Sequence, residues 1–288
     1  MNKENEQATF DEEYWKGDGG KDWLDNIDGV ESLIKPFNEG LYERAMLRDG
    51  DVVLDVGCGG GMTTIDIASR VGNTGRVVGV DIAPALLAVA QKRGTGIANV
   101  EFREADAGSA DIGQGIFDLV TSRFGVMFFT KPVAAFANLR RALKPDGRLA
   151  MLCWQTLEEN AWVFEPLAAI SKIIPMPPKP EDPDPDLPGP FSLGTFERIQ
   201  YVLGEAGFTA VETEPLDRGM CVGNIDQTLE FLTTMGPASK LFKEASEAQV
   251  RAGRQAIREM LAKYESDDRV VLPARAWIVT AENNTLRK

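Results

Sequence analysis

Short apolar runs alternate with amphipathic stretches along most of the chain. Residues 52–56, 77–80, 100–103, 117–121 and 149–153 are compact runs rich in valine, leucine and phenylalanine, and they read as strands. Between them, residues 62–71, 84–92 and 132–143 read as helices, the last with Val133, Phe136, Leu139 and Leu143 at helical spacing. This alternation of strands with helical stretches predicts a parallel sheet covered on both faces. Further on, a helix from about Thr195 closes at Gly207, and residues 210–213 read as a sixth strand. Residues 225–264 look mostly helical, with a break at Gly236-Pro237, and residues 270–280 read as a last strand. The fold class expected is therefore α/β: a doubly wound, mostly parallel, seven-stranded sheet with helical insertions.

After Trp154 the character changes. Residues 174–190, IPMPPKPEDPDPDLPGP, are too proline-rich for a sheet or a helix interior and read as a stiff surface loop, or as a lid over a site. A single domain is expected over residues 1–288. Its parts are an N-terminal helical cover (1–50), a core (51–155), the proline-rich insertion (156–194), and a C-terminal part (195–288) that completes the sheet and carries the helical insertion 225–264.

Composition narrows the chemistry. With 43% hydrophobic and 26% charged residues the chain is an ordinary globular protein. Its formal net charge of −13 argues against a broad electrostatic grip on nucleic acid or an anionic membrane. The polar, acidic N-terminus lacks the apolar centre of a signal peptide, and no run has the length of a membrane span. Cys58, Cys153 and Cys221 form no C-x-x-C pair, so neither a zinc site nor a disulfide framework is indicated, and a reducing cytoplasm fits. There is no histidine. That removes Ser-His and Cys-His nucleophile pairs and the commonest general base.

The densest chemical signal is VVLDVGCGGGMTTIDIA, residues 52–68: an apolar strand with Asp55 near its end, a loop carrying Gly57, Gly59, Gly60 and Gly61, then a helix. Such a loop lets backbone approach a ligand closely at the carboxyl edge of a sheet. A dinucleotide fingerprint would need glycine where Met62 stands; the pattern here is D-x-G-x-G-x-G.

That pattern resembles the first motif of the class I S-adenosylmethionine-dependent methyltransferases, of the kind that act on small molecules in bacteria. The resemblance continues through VVGVDIA, FREADA, IFDLVTSRFGVMFF and LRRALKPDGRLAML, covers residues 52–154, and extends more weakly to PGPFSLGTFERIQYVLGEAGF. It implies the Rossmann-like fold of that family, S-adenosylmethionine as cofactor, and a set of contacts. Asp55 would meet the cofactor's amino group, directly or through water, and Gly57 and Gly59 would border its methionine moiety. Asp81 would hold the ribose hydroxyls, with Ile82 against the adenine, and Asp106 and Ala107 would meet the adenine edge. Arg123 follows strand four with Ser122, where the family presents a backbone carbonyl to the methionine amino group.

Blander roles compete with each of these. Asp81 also suits a helix cap before Pro84, Ile82 a core position, Asp106 a solvated loop, and Arg123 a structural ion pair. Phe124, Met127, Phe128 and Phe129 read as packing residues that can double as an acceptor-pocket wall, and Trp15 and Trp23 resemble tryptophans of N-terminal covers. Cys58 reads as a small filler. The resemblance implies methyl transfer by in-line displacement, with no catalytic residue named and no metal. Strand four lacks the [ND]-P-P-[YF] segment that marks nucleobase and glutamine methylation in related families. A small-molecule acceptor is therefore expected, with no nucleic-acid or membrane partner. Two readings from other classes stay open: a nicotinamide-dependent oxidoreductase on a related sheet, and a non-catalytic protein that binds the cofactor.

Overall fold

The computed structural model describes residues 10–177, 184–235 and 237–284. Residues 1–9 and 178–183, in which the N-terminal and proline-rich readings partly fall, lie outside them, as does Gly236.

Four short helices lead in: α1 (Glu12–Lys16), α2 (Asp18–Asp25), α3 (Ile27–Ile34) and α4 (Asn38–Ala45). Then β1 (Val52–Val56), α5 (Met62–Arg70), β2 (Arg76–Asp81), α6 (Pro84–Arg93), β3 (Val100–Glu104), β4 (Phe117–Arg123), α7 (Pro132–Ala142) and β5 (Leu143–Trp154) follow, strand and helix alternating except where β3 leads directly to β4. Proline at the first turn of α6 and α7 starts each helix where a missing N–H costs nothing. Strands β1, β2 and β4 and residues 149–154 of β5 are mostly buried, which explains their apolar character.

The chain continues through α8 (Ala161–Ile170), α9 (Phe196–Glu205), β6 (Thr209–Gly223), α10 (Ile225–Thr234), α11 (Pro237–Glu244), α12 (Glu247–Leu261), β7 (Glu265–Ser266) and β8 (Arg269–Glu282). The sheet order is β3-β2-β1-β4-β5-β8-β6. Strands β1 to β5 pair in parallel, and β8 inserts antiparallel between β5 and β6.

The sheet has eight strands rather than the expected seven. The extra one is β7, which folds back on the start of β8 because Asp267 and Asp268 both adopt positive φ in a tight turn. Helix α12 accordingly ends at Leu261 rather than reaching Tyr264. A second helical break lies at Ser246, whose capping box with Gln249 opens α12. Strand β5 begins at Leu143 rather than at residue 149, taking in the KPDGR segment, which it absorbs as a register shift between Phe117 and Leu119 of β4. Strand β6 runs far beyond residues 210–213, pairing with β8 along most of its length.

The main hydrophobic core lies on both faces of the sheet. A second cluster joins α8, α10, α11, α12 and the start of β8 around Ile170, Leu232, Ile257 and Leu261, and Trp162 and Phe231 pack against both.

Candidate cofactor and acceptor site

A cavity with about 890 Å³ of space, part of it open to solvent, lies along the carboxyl ends of β1, β2 and β4. Its wall takes in Gly57, Gly59, Asp81, Ile82, Asp106, Ala107 and Arg123 from the sheet side, and Trp15, Trp23, Glu31 and Ile34 from the N-terminal helices.

The glycine loop shapes this cavity by leaving room. Its N–H groups are largely engaged within the protein: Gly57 and Cys58 donate to the Val80 carbonyl (2.9 and 3.1 Å), Gly61 to the Cys58 carbonyl (2.9 Å), and Gly59 to Asp81 Oδ2 (2.8 Å). A Cβ on Gly59, at φ +52°, would meet nothing within 4 Å. A Cβ on Gly57 would stand 2.9 Å from the Gly125 Cα, so the loop and the turn after β4 lie backbone on backbone. Gly125, which sequence reasoning passed over, is thus a structural partner of the loop; its only signal was its place in SRFG.

Asp81 is clamped at both oxygens, with Oδ2 on Gly59 and Oδ1 accepting the Ala83 N–H at 2.9 Å. Burial pushes its carboxyl up from the usual range, and these N–H donors pull against that shift. Asp106 is similarly tied, Oδ1 accepting the Gly108 N–H (2.9 Å) and Oδ2 the Ser109 hydroxyl (2.6 Å). Asn138 of α7 fixes the same loop, donating to the Ala107 and Ala110 carbonyls at 2.9 Å each.

Arg123 projects to the cavity wall without an ion pair among the described residues. Its Nη1 donates to Asn38 Oδ1 at 3.1 Å and reaches Met62 Sδ at 3.6 Å. Burial lowers the guanidinium's affinity for its proton. The structural ion-pair role is therefore absent, and a partly buried cation faces the cavity. The next residue, Phe124, adopts φ +61° and stacks on Trp154, ring centroids 3.9 Å apart. A left-handed aromatic residue is a strained choice, repaid here by packing.

Asp55 stands apart from the other expected residues. It is 1% exposed, does not line the cavity, and its Oδ2 accepts both the Thr63 and Thr64 hydroxyls at 2.7 Å. Burial raises its pKa, opposed by the two threonine hydroxyls and then by the Arg123 charge. Met127 also faces inward, its sulfur accepting the Trp154 backbone N–H at 3.3 Å, whereas Phe124, Phe128 and Phe129 reach the wall. Trp15 packs edge-on against Phe128 (4.9 Å) and Trp23 (6.0 Å), and Phe10 lies 5.7 Å from Phe128. The buried Cys58 thiol is held well above its ordinary pKa by desolvation, so it serves as filler rather than nucleophile.

Residues 53–147 match the family model described as a methyltransferase domain. The chain carries a methyltransferase domain and is an S-adenosylmethionine-dependent methyltransferase. Among curated relatives, a demethylmenaquinone methyltransferase of Staphylococcus saprophyticus is 27% identical over 209 residues, covering 70% of this chain and 88% of the relative. Among solved structures of like fold, the Bacillus subtilis YcgJ protein aligns at TM-score 0.56 and 18% identity, over 85% of this chain and 97% of its own. A Haemonchus contortus phosphoethanolamine N-methyltransferase 2, solved with S-adenosyl-L-methionine, aligns at TM-score 0.59 and 19% identity, over 96% of this chain and 60% of its own. The methyltransferase domain sets aside the oxidoreductase reading of the sheet.

Proposed function

We propose that this methyltransferase acts on a small, largely apolar acceptor bound between the cofactor and the aromatic wall of Trp15, Trp23, Phe128 and Phe129. The observation that carries the reading is the make-up of the cavity, which joins a side-chain-free cradle and acidic residues on the sheet side to aromatic rings on the other. S-adenosylmethionine fits the first part. The open space at Gly59 admits a ligand against the backbone, the Asp81 carboxylate suits ribose hydroxyls, and Ile82 and Ala107 offer apolar surface to an adenine. Arg123, a cation without a carboxylate partner, suits the methionine carboxylate.

When bound, the cofactor supplies an electrophilic methyl group on a sulfonium. The protein's own work is alignment and exclusion of water: the Gly57 and Gly125 backbones fix the floor, Asp81 and Arg123 hold polar groups in place, and the aromatic wall orients the acceptor. Asp55, sealed behind the loop, acts on this site through Thr63, Thr64 and the field it exerts on Arg123. The relative named as a demethylmenaquinone methyltransferase supports a small organic acceptor in general terms. Two buried thiols and one partly buried one, all free, fit a reducing compartment.

Ligand-free protein should be stabilised by S-adenosylmethionine and S-adenosylhomocysteine and ignore NAD(H). At about 100 times its Kd a ligand adds roughly 2.7 kcal/mol, a clear thermal shift. Methyl transfer from labelled cofactor to a panel of phenols and hydroquinones, but not to duplex DNA, completes the test. Transfer to nucleic acid alone would overturn the acceptor class.

A further inference from the structure

Arg93, in the last turn of α6, and Glu31 of α3 belong to no motif of the sequence. Their side chains meet beside the glycine loop. Arg93 Nη1 donates to both carboxylate oxygens of Glu31, at 2.8 and 2.9 Å, and to the Gly60 carbonyl at 3.0 Å. Its Nη2 reaches Asp28 Oδ1 at 3.3 Å. The Glu31 side chain is only 4% exposed and forms part of the cavity wall. A Cβ on Gly60 would lie 2.6 Å from Ile27 Cδ1, 2.7 Å from Arg93 Nη1 and 2.8 Å from Glu31 Oε1. The loop thus presses directly on the clasp and on α3.

We infer that Arg93 and Glu31 are positioning residues for the cofactor: one guanidinium locks the N-terminal helices to the Gly60 peptide and so sets the part of the loop that borders the methionine moiety. The inference rests on the cofactor reading above. The pair is unlike the exposed ion pairs of this chain, such as Arg251 with Glu247, because it spans 62 residues, encloses a carboxylate and shares its cation with a loop carbonyl. Bonds to a carbonyl that cannot move far from its N–H neighbours transmit the geometry of α3 to the loop.

The test compares two probes. S-adenosylhomocysteine carries the amino-acid tail; adenosine lacks it. Removing Arg93 alone strands a buried carboxylate and endangers folding, so the informative variant is Glu31→Met with Arg93→Met, which replaces the pair by apolar side chains of similar length. The milder Glu31→Gln keeps an acceptor and loses only the charge. By calorimetric titration of folded protein, the double variant should bind S-adenosylhomocysteine at least tenfold more weakly and adenosine within twofold of the parent, while Glu31→Gln falls between. Affinity for S-adenosylhomocysteine within twofold of the parent in the folded double variant overturns the inference, as does an equal loss for both probes. A parent protein that binds neither probe would sink the cofactor reading and the clasp with it, which separates the two failures.

Discussion

Replacing Asp81 by asparagine tests the site where its geometry is most explicit. Asparagine preserves shape and one acceptor oxygen, but its amide N–H₂ must face either the Gly59 or the Ala83 N–H, bonds now 2.8 and 2.9 Å long. One charge-assisted bond, worth about 1.5–3 kcal/mol, is lost and a donor–donor clash replaces it. Against that, the neutral side chain escapes the desolvation that raises the Asp81 pKa. The balance leaves a cost of about 1–2 kcal/mol to the free protein, a fall in Tm of a few degrees for a chain of this size. The cofactor loses more, because both the ribose acceptor and the loop position are disturbed. At least one charged hydrogen bond of about 1.5–3 kcal/mol is forfeited on binding, and at about 1.4 kcal/mol per decade the Kd for S-adenosylhomocysteine should rise tenfold or more. Thermal denaturation of the free protein and calorimetric titration at a temperature well below Tm separate the two effects. A lowered Tm with unchanged affinity would refute the ribose role and leave Asp81 as a clamp on the loop.

Three further outcomes are expected. Gly125→Ala places a Cβ about 2.9 Å from the Val56 carbonyl and 3.0 Å from the Gly57 Cα, so S-adenosylhomocysteine affinity should drop at least tenfold with about 1–3 kcal/mol of stability, whereas Gly96→Ser, remote from the cavity, should leave affinity unchanged; equal affinities would dissolve the backbone-contact argument. Asp55 and Asp81 have raised pKa values in the free protein, so their contribution to stability is fully present below the unfolded value near 4 and declines as pH rises through the folded ones. A cationic cofactor favours their ionised forms, so its binding in that window should release protons and weaken as pH falls, which titration in buffers of differing ionisation enthalpy detects; proton uptake would reverse the sign and the reasoning. Trp15→Ala should raise the acceptor KM several-fold and leave the S-adenosylhomocysteine Kd within threefold, as steady-state kinetics and titration show; the opposite pattern would move Trp15 to the cofactor.

The parallel half of the fold was legible because buried strands such as β1 and β2 are continuous apolar runs, and because proline and glycine mark the ends of the helices between them. Strand β6 was read short because it carries the exposed acids Glu212, Glu214 and Asp217 on both of its faces, a pattern that conceals pairing supplied by β8. The cofactor candidates Gly57, Gly59, Asp81, Ile82, Asp106, Ala107 and Arg123 do come together at one cavity, since each follows a strand end in the same sheet. Asp55 precedes the loop in sequence yet points away from the cavity wall, because strand alternation and two neighbouring threonines turn it inward. Glu31 and Arg93 left no local trace: a pair made across 62 residues appears only when α3 and α6 are packed.

The aromatic wall makes the protein its own optical gauge. Of five tryptophans, Trp15 and Trp23 border the cavity, while Trp154 stacks on Phe124, Trp162 donates to Asn160 and Trp277 donates to the Gly194 carbonyl, all three away from the cavity wall. Occupancy therefore alters the emission of the first pair against a steady background from the other three. A chain in which only Trp15 and Trp23 are exchanged for phenylalanine would keep the fluorescence of the other three and lose that signal, so cofactor binding and acceptor entry can each be followed in time without any added label.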